Sequence, residues 1–171
     1  MRKVLALLLI CGALFYSAAF AASGETQYKS QKTMPDGTVR MATNLDKNYA
    51  ATPMSQYESQ KTLADGTVQI ATHLDSDFQV TETTQTFTQK TLADGTIQVA
   101  SNLDNDFKAT NTTQYKTQKV LADGTVQLAT NLDSDFSPTT TTEYVAQRTM
   151  PDGTVRMATN LDSNFQEKNA T

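Results

Sequence analysis

Cysteine is almost missing from this chain: there is one, Cys11, in 171 residues. A disulfide framework is therefore excluded. Tryptophan is absent, and histidine occurs once, at His73. A catalytic triad or a His-based zinc site needs partners that a lone His does not supply. Seven Gly and four Pro are too few for a collagen-like or Pro/Gly-rich disordered chain. Positive charge is also short, with 14 Lys+Arg against 18 Asp+Glu and a net charge of −4. That balance argues against a nucleic-acid binder. No Ser sits in a G-x-S-x-G elbow, and no Gly-rich loop is built to cradle phosphate. The sequence is read as non-enzymatic.

Long apolar runs are equally scarce. Residues 4–16 form one, preceded by Arg2 and Lys3 and followed by the small-residue stretch Ala19-Phe20-Ala21. This is the layout of a secretory signal peptide over residues 1–21, with cleavage near Ala21. The run is short for a bilayer span, and the mature chain has no other, so no transmembrane segment is expected. Cleavage removes Arg2, Lys3 and Cys11. The mature chain then has 12 basic and 18 acidic residues and no cysteine. The expected location is extracellular, and stability has to come from packing, backbone pairing, ions or assembly.

What the chain does have is repetition. After a short lead at 22–26, Asp-Gly-Thr recurs at Asp36, Asp65, Asp94, Asp123 and Asp152, always 29 residues apart. The repeats are 27–55, 56–84, 85–113, 114–142 and 143–171, within one domain at 27–171. A fixed period marks an array of one supersecondary unit. Each unit reads Q-Y-x-S/T-Q-K-T-L/M-A/P-D-G-T-V-Q/R-x-A-T-N-L-D-x-D/N-F, then six variable residues.

Local chemistry favours strands. Val39, Met41, Thr43 and Leu45 alternate with Arg40, Ala42 and Asn44, a period of two. Residues 28–34 also alternate and are rich in Thr and Tyr. Between them, Pro35-Asp36-Gly37 suits a type I turn with Gly in the left-handed position, hence a tight hairpin. Two strands per repeat give about ten strands. One conflict stands. The three-residue turn places Val39 and Met41 on the face of Thr33 and Gln31, whereas the apolar pattern favours Tyr28, Ser30 and Met34 there.

The expected fold is all-β, an antiparallel meander of five hairpins, as an open sheet or a closed barrel; a β-solenoid is the alternative. In a solenoid, the basic column (Lys32, Lys61, Lys90, Lys119, Arg148) would stack at about 4.8 Å as a ladder of like charge. In a meander, the same residues lie two strands apart. Repeats one and five share M-P-D-G-T-V-R-M-A-T-N-L-D, with Pro in the turn and Arg40 or Arg156 in the strand. Atypical end units guard the ends of a repeat array, or meet where a barrel closes.

The candidate ion site is D-x-D: Asp75 with Asp77, Asp104 with Asp106, and Asp133 with Asp135. Oxygen ligands two apart suit calcium, and the competing reading is an Asx turn. His73 takes the place of Asn44, Asn102, Asn131 and Asn160, as a polar surface variant. Tyr28, Tyr57, Tyr115 and Tyr144 form one aromatic column, read as packing pairs with sugar stacking as the rival. Thr86 interrupts that column, and Phe87 is expected to compensate from the next position. Asn111 and Asn169 head N-x-T acceptors. The Gln, Asn and Thr ladders and strand–turn–strand layout resemble curli-type repeats in general plan, without that family's Gly-Asn-rich spacing or period. The resulting expectation is a secreted structural protein of an extracellular matrix, fibre, coat or biofilm that associates with itself. The alternative is a multivalent module for a glycan, cell surface, mineral or calcium.

Overall fold

A computed structural model describes residues 26–168. The expected signal peptide and Asn169 lie outside the described residues. The chain forms one open sheet of ten antiparallel strands in sequence order. Its strands are β1 (Tyr28–Thr33), β2 (Val39–Leu45), β3 (Gln56–Thr62), β4 (Val68–Leu74) and β5 (Gln85–Thr91), then β6 (Ile97–Ser101), β7 (Gln114–Val120), β8 (Val126–Leu132), β9 (Glu143–Thr149) and β10 (Val155–Ala158). β1 and β10 are the two edges, so the sheet does not close into a barrel. Neighbouring strands run antiparallel, as the like-charge argument against a solenoid expects.

The hairpin turn has the anticipated three-residue loop. The Met34 N–H donates to the Thr38 carbonyl at 2.7 Å, and the Gly37 N–H to the Met34 carbonyl at 3.0 Å. Gly37 has φ 83°, in the left-handed region that glycine enters without a side-chain penalty. This geometry decides the register. Thr33 pairs with Val39 and Gln31 with Met41, so turn chemistry prevails over the apolar pattern. One face of the sheet therefore carries rows of Gln between rows of aliphatics.

The strict alternation of β2 does not hold to its end. Ser30 faces Ala42, but Tyr28 faces Leu45, so three residues of β2 oppose two of β1. The extra residue is a bulge, and Asn44 takes it with φ 55°. The bulge turns Leu45 away from Val39 and Met41 and onto the opposite face, beside Ala42 and Tyr28. His73, Asn102, Asn131 and Asn160 adopt the same left-handed φ of 57°. The Asn column is thus a backbone requirement, because Asn tolerates this region better than most residues. His73 is exposed, as a surface variant should be, and it is tolerated at this conformationally special position.

Burial is concentrated in the middle of the sheet. Val68, Ile97, Val99, Ala71, Ala100 and Ala129 are buried, as are Leu74 and Leu132. The equivalent residues on β10, Val155 and Met157, are 51% and 61% exposed. A strand with two neighbours is covered on both sides, and an edge strand on one. Gln89 and Gln118 are also buried within the sheet, and Gln118 Oε1 has no hydrogen-bond partner.

Candidate functional site

Each repeat ends in a second turn, built around the candidate calcium residues. The Asp75 N–H donates to the Gln79 carbonyl at 3.0 Å, and the Phe78 N–H to the Asp75 carbonyl at 2.9 Å. This is the bond pattern of the Asp-Gly turn, with Phe78 at φ 61° in the place of glycine. Asp75 Oδ1 accepts from the backbone N–H of Asp77 at 2.9 Å and of Gln79 at 2.8 Å. Asp104 accepts likewise from Asp106 and Lys108, and Asp133 from Asp135 and Ser137. The first carboxylate of each pair is thus committed to an Asx turn. The second lies at the surface, where Lys108 Nζ reaches Asp106 Oδ2 at 3.5 Å. No cluster of three or more His, Cys, Asp or Glu placed to hold a metal occurs among the described residues.

The aromatic in this turn folds back onto the Tyr column. Tyr57 and Phe78 meet edge to face, with centroids 5.4 Å apart and planes at 84°. Tyr28–Tyr49, Tyr115–Phe136 and Tyr144–Phe165 repeat the arrangement at 5.4–5.7 Å. These are packing pairs of the favoured T-shaped kind. In repeat three, Thr86 stands where the Tyr would be. Its hydroxyl donates to the Leu103 carbonyl at 2.7 Å. Phe87 pairs with Ile70 and Ser101, and adjacent strand residues face opposite sides, so it stands on the face opposite Thr86 rather than in the Tyr column.

The six variable residues conceal a hydrogen-bonded cap. The bulge at Asn131 leaves its carbonyl outside the ladder, and the hydroxyls of Thr139 (2.8 Å) and Thr142 (3.2 Å) donate to it. Asn131 returns a bond from its side-chain amide to the Thr141 carbonyl. Thr52 with Ser55, Thr81 with Thr84, and Thr110 with Thr113 cap Asn44, His73 and Asn102 in the same way. The signal was present in the sequence: Thr recurs at 52, 81, 110 and 139, at the repeat period.

The basic column is also paired. Lys61 bonds Asp36 at 3.3 Å, Lys90 bonds Asp65 at 2.9 Å, Lys119 bonds Asp94 at 2.8 Å, and Arg148 approaches Asp123 at 3.4 Å. Each bridge joins a strand of one repeat to the turn of the repeat before. Their side chains are 37–59% exposed, so solvent screens each pair and its contribution to stability is small. The turn carboxyls are held below the ordinary carboxylate range. For Asp65 and Asp94 the leading cause is the ammonium of Lys90 or Lys119, and for Asp36 the Thr38 hydroxyl. For Asp123 and Asp152 it is the backbone N–H two residues on. Glu58 moves the other way, because burial between β2 and β4 disfavours its charge.

The ladder of bridges is incomplete at both ends. Among the described residues no turn precedes β1 to meet Lys32, and no strand lies beyond β10 to meet Asp152. Among the described residues neither makes an ion pair. Arg40 lies over the Phe78 ring of the next repeat at 5.2 Å, and among the described residues Arg156, its equivalent in repeat five, lies over no such ring. Among the described residues no helix is long and apolar enough to cross a membrane. Neither the family models, nor the curated proteins, nor the solved structures compared with this chain give a match.

Proposed function

We propose that the protein is a secreted, non-enzymatic structural component that associates with copies of itself in an extracellular matrix, fibre, coat or biofilm. The observation that supports this most is the single ten-stranded sheet whose two edge strands have, among the described residues, no strand on their outer sides. An edge strand offers a row of unsatisfied N–H and C=O groups to another chain. The outer aliphatics Val155 and Met157 add exposed apolar surface at one of these edges. The repeated Gln and Thr positions supply polar strands suited to pairing between chains.

Sedimentation velocity over a concentration series, combined with electron microscopy, tests the proposal. Concentration-dependent, sheet-rich oligomers or fibres are the expected result. A monodisperse monomer at high concentration, across salt and from acid to neutral pH, overturns it. Culture fractionation tests the location, with the protein expected in the medium or on the cell surface.

A further inference from the structure

We infer that copies of this chain join head to tail, the β1 edge of one copy adding to the β10 edge of another in the register that already links successive repeats. The inference rests on the assembly reading above and gives it a polarity and named contacts.

The internal junctions supply the template. Between repeats one and two, β2 pairs with β3 as Val39 with Gln60, Arg40 with Ser59, Met41 with Glu58, and Ala42 with Tyr57. Between repeats four and five, β8 pairs with β9 in the same columns. Moved on by one repeat, the pattern sets Val155 against Gln31 of a second copy and Met157 against its Lys29. Three features of the free edges fit that junction. Asp152 and Lys32 are the two unused halves of the bridge that Asp36 makes with Lys61. Arg156 would reach Tyr49 of the second copy, as Arg40 reaches Phe78. Arg occupies this column only in repeats one and five, and Gln stands there in the inner three. Finally, Val155 and Met157 are mostly exposed, while Val68 and Val99, in strands with two neighbours, are buried. Hollows of about 320 and 310 Å³ lie at the two edges, one beside Gln31 and Lys32 and the other beside Arg156 and Met157.

The junction is heterologous, because two different edges meet. Such a contact propagates into an open polymer unless its rotation closes a ring. An edge that paired only with its own kind would instead stop at a dimer.

Proline blocks one edge at a time. Met150 and Thr154 close the last hairpin, so alternation turns the backbone groups of Val155 and Met157 outward. The same argument from Met34 and Thr38 turns those of Gln31 outward. Met157→Pro and Gln31→Pro therefore remove outward donors and spare the internal ladder. Each variant alone is expected to sediment as a monomer, and an equimolar mixture as a one-to-one dimer. A polymer from either variant alone, a dimer from either alone, or no complex in the mixture overturns the polarity while leaving the assembly reading standing. A monomeric wild type overturns both. Asp152→Lys and Lys32→Asp test the same junction without backbone change, should a proline variant lose its far-UV circular dichroism. Each alone is expected to raise the polymerisation threshold by up to about fivefold, and the mixture to restore it. An unchanged threshold, or no restoration, counts against the junction.

Discussion

The two turns of each repeat share one hydrogen-bond pattern but differ at the left-handed residue. In repeat four this is Gly124 in the hairpin turn, at φ 82°, and Phe136 in the second, at φ 58°. Left-handed backbone costs an L-residue about 1–2 kcal/mol, a cost glycine escapes. Glycine gives back about 0.4–1 kcal/mol through its freer unfolded chain. The net preference for Gly over Ala is then about 0.5–1 kcal/mol at either position. At Gly124 an added Cβ meets nothing within 4 Å, so Gly124→Ala measures the conformational cost alone. At Phe136 both truncations lose the ring that stands at 5.4 Å from Tyr115. For a half-buried Phe this loss is about 2 kcal/mol in the Ala variant. Phe136→Gly should therefore be milder than Phe136→Ala by the amount that Gly124→Ala costs. This reverses the usual order, in which Gly is worse than Ala in ordered structure. Urea titration followed by far-UV circular dichroism, on dilute protein with an unchanged slope, provides the three midpoints. If Phe136→Gly is as destabilising as Phe136→Ala, the left-handed turn is not the controlling feature.

Replacing His73 by Asn should raise stability by about 0.5–1.5 kcal/mol, read as a higher urea midpoint. The amide would gain the bond to the facing carbonyl that Asn102 and Asn131 make, a contact of ordinary net worth. Because the turn carboxyls titrate below their unfolded values, their contribution is complete above about pH 4 and is lost as pH falls from there. The double variant Asp65→Asn, Asp94→Asn should be less stable at neutral pH and show a shallower acid decline in thermal melts across pH. Glu58 has the opposite sign, since its raised value favours the folded state only while it is protonated. Glu58→Gln should stabilise at neutral pH, and the gain should vanish below about pH 4; a gain that persists there refutes burial as the cause.

The hairpins were legible in the sequence because Asp-Gly-Thr fixes a turn and the period fixes its neighbours. The register was legible in the turn too, and only the apolar pattern spoke against it. That pattern misled because Asn44 inserts an extra residue, which moves Leu45 to the other face. A bulge has no apolar signature, but a constant Asn before a constant Leu is the trace it leaves. The bridges leave no local trace, because the partner of each Lys is the turn Asp 25 residues earlier. The Thr cap was missed because one constant position lay among variable ones. Phe78 in a left-handed conformation had no sequence precedent in this chain, where glycine marked the other such turn.

The meander also sets how the sheet answers a pull. Tension applied across the strands, from the β1 edge to the β10 edge, loads the ladder one strand at a time rather than all strands in shear. Each repeat occupies about 9.6 Å of the folded sheet, two strand spacings. Its 29 residues span about 100 Å when drawn out. A chain held in this way lengthens roughly tenfold, repeat by repeat. Neighbouring repeats are joined by similar ladders and bridges, so they should yield at similar forces. The same period that makes the sheet makes it an extensible tether with five nearly equal steps.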